Sequence, residues 1–223
     1  MRDRERDQPE GAAARSERDE RPGPGEAYNP GAPVPPRQAA SVILLRGAEA
    51  RLELLLVRRT PHARFMGGVW VFPGGAIDSG EGDGEDAQRA AAIRELREEA
   101  AVSIEDPAVL VRFSRWITPE EVKIRFDTHF FLAVLPAGQE PRVDGEECVD
   151  MRWCTPAQAL AAYRAGEIDL VFPTIKHLEQ LERFATVDEL LQYARGRDVL
   201  PVQPKVVLEG EVARILLPGD AGY

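Results

Sequence analysis

Glu95, Glu98 and Glu99 fall within five consecutive positions of an Ala-rich stretch, Ala87 to Ala100, whose composition predicts a helix. At about 100° per residue, Glu98 and Glu99 bracket the direction of Glu95. The three acids therefore share one helical face, while Ile93, Leu96 and Ala100 point away. A solvated face paired with Arg94 and Arg97 is the ordinary explanation of such a pattern. Two features oppose it. Glu95 and Glu99 are like charges at i,i+4, and all three acids lie toward the helix C-terminus, where the backbone dipole favours cations. A divalent cation reverses both penalties, and carboxylates that leave room for water and substrate oxygens suit Mg²⁺, at about 2.0–2.1 Å per ligand.

The elements that must position these acids lie just upstream. Val69 to Phe72 reads as a strand, ended by Pro73-Gly74-Gly75, where glycines let the backbone pass close to a metal and free a carbonyl to act as ligand. Asp78 to Asp86 is a Gly- and acid-rich loop, and Asp86 is the expected N-cap of the helix. Strand, glycine turn, acidic loop and acidic helix form one unit.

That unit resembles the Nudix box. Gly75-Ala76-Ile77-Asp78-Ser79-Gly80-Glu81, followed by Arg94-Glu95-Leu96-Arg97-Glu98-Glu99-Ala100-Ala101-Val102, follows the family's order of Gly, Glu, then Arg-Glu-apolar-any-Glu-Glu-any-Gly-apolar. Twelve residues, Gly82 to Ile93, separate Glu81 from Arg94 where the family usually has seven, and Ala101 stands in place of Gly. The longer loop leaves Glu81 or Glu85 to take the place of the family's first glutamate. The resemblance implies a Nudix-type α/β/α sandwich with a mixed sheet. It further implies that Glu95, Glu98, Glu99 and the Gly74 carbonyl bind Mg²⁺ or Mn²⁺, so that the three glutamates form the catalytic centre. Arg94 and Glu81 would be an orienting pair. Because the family often adds a carboxylate from outside the box, Glu147 is the further candidate ligand or base, with Glu146 beside it.

Substrate choice must come from residues beyond the box. Leu55-Leu56-Val57-Arg58-Arg59-Thr60-Pro61-His62-Ala63-Arg64-Phe65-Met66-Gly67-Gly68, placed before Phe72-Pro73-Gly74-Gly75, is similar to the motif that precedes the box in coenzyme A diphosphatases. Arg59, Arg64 and Gly68 fall in register with it. Two arginines just before the metal loop suit a diphosphate or a ribose phosphate, with Gly75 also at the substrate. Ile117-Thr118-Pro119, Arg125 to Phe131 and Phe172-Pro173-Thr174 look like a longer subgroup related to peroxisomal coenzyme A diphosphatases, although Asp220-Ala221-Gly222-Tyr223 is not a peroxisomal address. The expected reaction is metal-dependent hydrolysis of the diphosphate in coenzyme A or acyl-coenzyme A. ADP-ribose, NADH or an oxidised nucleotide is the alternative, and a nucleotide-sensing Nudix domain without turnover is the alternative of another class.

The remainder of the chain sets the frame. Residues 1–36 mix charges with Pro and Gly and predict a disordered tail; 37–223 predict one Nudix domain with a C-terminal helical extension. Short apolar runs predict strands at 39–45, 52–57, 109–113, 125–134 and 213–217. Helices are expected at 156–164, 174–184 and 187–194. No regular βαβ rhythm appears, which favours an α/β sandwich over a doubly wound sheet. On strand 125–134, Asp127 and His129 share a face and are candidates to line the cleft. A formal net charge of −10 opposes nucleic-acid binding. With no signal peptide and no apolar run long enough for a membrane, a cytoplasmic protein is expected, with a homodimer as its candidate assembly and a small-molecule partner. Cys148 and Cys154 match neither a zinc site nor a disulfide framework and read as reduced thiols.

Overall fold

Apolar residues on both faces of one strand decide the architecture. In the computed structural model, which describes residues 27, 29, 31–47, 51–63, 66–209 and 212–223, β1 (Arg37–Arg46) buries Ala40, Val42 and Leu44 on one side and Ile43 and Leu45 on the other. Such a strand must lie inside a sheet covered on both faces. One edge of β1 pairs in parallel with β6 (Phe126–Val134). Its other edge pairs antiparallel with β4 (Gly74–Ala76) at one end and with β2 (Glu53–Arg59) at the other. The sheet runs β3 (Trp70–Val71), β2, β1, β6, β5 (Val111–Ile117), β8 (Pro201–Val202), and β7 (Cys148–Cys154) pairs with β2. It is the expected mixed sheet.

Helix α1 (Gly84–Ala100) covers one face, packing Ala91, Ala92, Leu96 and Ala100 against Val42, Leu44, Leu55 and Phe131. Helices α2 (Pro156–Ala165), α3 (Phe172–Leu181) and α4 (Val187–Arg195) cover the other, against Ile43, Leu54, Leu56 and Phe113. Each large aliphatic side chain removed from water contributes about 1.5–3 kcal/mol, so the two clusters hold the three layers together. His177 of α3 is wholly buried among Phe72, Phe113, Trp116 and Phe130, with Nε2 2.5 Å from Ser114 Oγ. Burial pushes its pKa down to about 3, so it is a neutral tie between sheet and helix.

Several boundaries differ from expectation. Helix α1 starts at Gly84 after Asp83, which makes no side-chain cap bond; Asp86 lies within the first turn, where an acid still complements the dipole. Pro107–Val109 forms a short 3-10 turn capped by Asp106, which displaces β5 to Val111–Ile117. β7 was not anticipated, because its charged residues hide a strand that pairs along β2. The late strand β10 (Val212–Leu216) pairs only with β9 (Lys205–Glu209), in a separate two-stranded sheet.

Of the expected tail, residues 1–26, 28 and 30 lie outside the described residues. The described part is tethered: Lys123 N–H donates to Ala27 O at 2.9 Å, Asn29 N–H to Glu121 O at 2.7 Å, and Arg125 Nη1 to Val34 O at 2.6 Å. Cys148 and Cys154 are free and buried. Among the described residues, no helix is long and apolar enough to cross a membrane.

Candidate active site

The glycine turn is fixed before the acids reach it. Ser41 Oγ and Val42 N–H of β1 both donate to the Pro73 carbonyl at 2.8 Å. A trans peptide sends its N–H opposite its carbonyl, so Gly74 N–H points toward α1, where it donates to Glu99 Oε2 at 2.9 Å. Gly74 is required at this crossing, since a Cβ there would meet Ala40 O and Ser41 Cα at 2.6 Å, whereas a Cβ at Gly75 would push the Glu95 carboxylate aside, with Cδ at 2.5 Å. Strand, turn and helix thus interlock through backbone and carboxylates.

The three glutamates are not equivalent. Glu99 is 1% exposed, and its Oε1 has no hydrogen-bond partner; Arg59 Nη1 stands 3.7 Å away. Burial drives its pKa up to about 7. The Gly74 N–H, Arg59 and the Cys148 thiol pull the other way, while Glu95 adds to the rise. Glu95 is raised as well, by burial first, against the pull of Arg94. Glu98 is half exposed.

Arg94 organises the rest. Its Nε donates to Glu81 Oε1 at 2.9 Å, Nη1 to Glu95 at 2.7 Å and to Glu98 at 3.1 Å, and Nη2 to the Ala76 carbonyl at 2.9 Å. Burial works to raise the Glu81 carboxyl, but hydrogen bonds from Arg94 and from the Asp78 N–H outweigh it and hold it below the usual range. Glu85, the other candidate for that place, pairs instead with Arg89 at 2.6 Å and with Arg112 at 3.3 Å.

Glu147 comes to the site from the start of β7. Asp144 accepts from the N–H groups of Glu147 and Cys148 at 2.8 Å each, and Thr60 N–H donates to the Glu147 carbonyl at 2.8 Å. These bonds fix the turn against β2 at the bulge between Arg58 and Arg59. Arg59, Gly74, Gly75, Glu95, Glu99 and Glu147 then line one cleft of about 370 Å³, a size that suits a small ligand. Arg64 lies outside the described residues, and Glu146 and Glu98 are not among the cleft's lining.

Asp127 and His129 correct the reading that made them candidates for the cleft wall. Alternation places Thr128 and Phe130 in the wall and sends Asp127 and His129 to the α1 side. There Asp127 is buried and bound by Arg115 at 2.6 and 2.8 Å and by Gln38 at 2.9 Å, an internal ion pair. The opposite wall, Thr118, Val171, Pro173 and Thr174, had been marked in part by the Ile117-Thr118-Pro119 and Phe172-Pro173-Thr174 runs, though with no role attached.

A divalent cation fits this donor set. Glu99 Oε1 is a buried carboxylate oxygen without a hydrogen-bond donor, with Arg59 at 3.7 Å beside it, and the Glu95 carboxylate packs where a side chain at Gly75 would stand. As they stand, no three Asp, Glu, His or Cys side chains among the described residues are gathered to grip an ion, because Arg94 draws Glu95 and Glu98 to itself.

The NUDIX domain profile matches residues 35–174. This chain belongs to the Nudix family. A crystal structure of a Nudix hydrolase from Alicyclobacillus acidocaldarius superposes with a TM-score of 0.64 at 26% identity, covering 71% of this chain and 96% of that one. A Caenorhabditis elegans Nudix relative is 26% identical, covering 84% of this chain and 74% of its own length. Human acyl-coenzyme A diphosphatase NUDT19 is 31% identical over 51% of this chain, which spans only 32% of the human protein. The chain is a Nudix hydrolase, and the general activity is hydrolysis of a diphosphate linkage. Its turn-and-helix unit from Gly75 to Val102 falls inside the matched residues, whereas α4, β8 and the β9–β10 hairpin fall outside them.

Proposed function

We propose that this Nudix hydrolase cleaves the diphosphate of coenzyme A or an acyl-coenzyme A, using Mg²⁺ or Mn²⁺ held by Glu95, Glu98, Glu99 and the Gly74 carbonyl. The observation that carries the reading is the meeting of an unsatisfied buried carboxylate, Glu99, with Arg59 and Glu147 on one cleft. Carboxylates that could hold a cation and an arginine that could meet a phosphate stand side by side there. The bound cation would neutralise the diphosphate and lower the pKa of an attacking water. Glu99 is held in place by the Gly74 N–H, so it presents its free oxygen without reorganising. Arg59 faces the diphosphate as a guanidinium whose Nε has no other partner. Glu147, exposed at the cleft, takes up the proton of the water.

Support for coenzyme A comes from the spacing of Arg59, Arg64 and Gly68 before the glycine turn and from the name of the human relative. Mass spectrometry of products from a panel of coenzyme A, ADP-ribose, NADH and oxidised nucleotides, each with Mg²⁺ or Mn²⁺, tests it. Adenosine 3′,5′-bisphosphate and a 4′-phosphopantetheine fragment are the expected products. Intact coenzyme A beside rapid cleavage of another compound refutes the assignment, and binding without cleavage of any compound refutes turnover.

A further inference from the structure

Behind the catalytic cleft lies a second, smaller cavity of about 80 Å³. The two share Thr118, Thr128, Phe130 and Pro173 in their walls, so they lie side by side. Its remaining lining is almost all apolar, with Trp116, Val122 and Phe172 prominent. Trp116 and Phe172 meet edge to face, with centroids 6.1 Å apart, and that contact gives the cavity a rigid side. The far side is Pro204, Val206 and Ile215. Val206 and Ile215 are directly opposed on β9 and β10, so the hairpin that roofs the cavity lies outside the residues matching the Nudix family.

We propose that this cavity is a subsite for the apolar acyl tail of the substrate, roofed by the C-terminal hairpin. The inference rests on the acyl-coenzyme A reading and adds where the tail is bound and which residues choose its length. A ligand whose diphosphate sits between Arg59 and the carboxylates reaches the cavity past Thr118 and Thr128; the Thr118 hydroxyl is held by the Phe126 backbone, accepting from its N–H at 3.0 Å, which leaves Thr128 to meet the polar linker at the junction. Beyond them the walls offer apolar side chains only. Each methylene that enters gains about fourfold in kcat/KM from removal of apolar surface from water.

The test compares coenzyme A, acetyl-coenzyme A and octanoyl-coenzyme A with the full chain. About two or three methylenes fill a cavity of about 80 Å³, so at about fourfold each the octanoyl substrate is expected to exceed the acetyl one in kcat/KM by roughly 15- to 60-fold. Val206→Phe, which fills the cavity, should bring that ratio near one. Val206→Ala, which enlarges it without adding bulk, should keep the preference and move it to longer chains. A flat response to chain length in the wild type, or a ratio unchanged in Val206→Phe, overturns the proposal. If the enzyme cleaves no coenzyme A derivative, the functional reading has failed, and calorimetry with S-octanoylpantetheine then reads the cavity alone. Saturable binding that is lost in Val206→Phe upholds an apolar subsite for a different substrate, and no binding to the wild type overturns it.

Discussion

Replacing Glu99 by Gln should make the metal-free protein more stable while disabling it. Glu99 is buried, and its carboxyl titrates at about 7 in the fold against an ordinary value of 4.5. Because the folded-state value is the higher one, the folded protein holds this proton more tightly than the unfolded chain does. The associated stability is complete below about pH 4.5 and is lost as pH rises through about 7. A difference of about 2.5 units corresponds to about 3 kcal/mol at pH 8. In a domain of this size that is roughly 6–12 °C in Tm. The assay is thermal unfolding of chelator-treated protein between pH 5 and pH 8.5, with and without Mn²⁺. Wild type should lose stability across that range more steeply than Glu99→Gln and should regain about 3 kcal/mol at about a hundredfold excess of Mn²⁺ over Kd. The variant should gain far less from the metal. Equal metal-free stability at pH 8, or equal stabilisation of both proteins by Mn²⁺, would refute the claim that Glu99 is a strained carboxylate awaiting a cation.

Three further outcomes follow from the same geometry. Glu98→Gln changes a half-exposed side chain, so Tm should hold while kcat falls by about 10²-fold or more; an unchanged kcat would leave Glu98 as a surface acid. Gly75→Ala places a methyl group on the Glu95 carboxylate, and steady-state kinetics should show at least about a tenfold loss in kcat/KM with weaker Mn²⁺ binding by calorimetry. Ala101 ends α1 in the left-handed conformation at φ 54°, so Ala101→Gly should raise stability by about 1 kcal/mol in denaturant titration, without effect on turnover.

Helical periodicity made the acid face of α1 legible, because residues spaced i, i+3 and i+4 must share a direction whatever surrounds them. Their inequality was not legible. Glu99 is buried where β4, Arg59 of β2 and Cys148 of β7 come together beside the helix, while Glu98 stays half exposed, and those neighbours are tertiary. The same limit explains Asp127 and His129. Alternation correctly puts them on one face, yet which face carries the cleft depends on the long-range parallel pairing of β6 with β1. Arg59 and Arg94 were visible as residue types with useful spacing. Glu147 was visible only as an acid before an apolar run, since the Asp144 turn and the β2–β7 pairing that carry it to the cleft are tertiary. The apolar subsite had no local signature, as its walls come from β5, β6, α3 and a hairpin near the C-terminus.

Arg94 shows how an acid cluster can fold without a cation. With no metal, four carboxylates would gather near one helix end, a repulsion that the guanidinium offsets by bonding Glu81, Glu95 and Glu98 together. Its contacts divide into two sets. The bonds to Glu81 and to the Ala76 carbonyl join it to the loop and to β4, and these need not change. The bonds to Glu95 and Glu98 are the ones a cation must compete for. Glu99 makes no bond to Arg94; it is held by Gly74, with one oxygen free. On the proposed reading, a cation entering the cleft would meet Glu99 already in place and would have to draw Glu95 and Glu98 from an arginine anchored behind them.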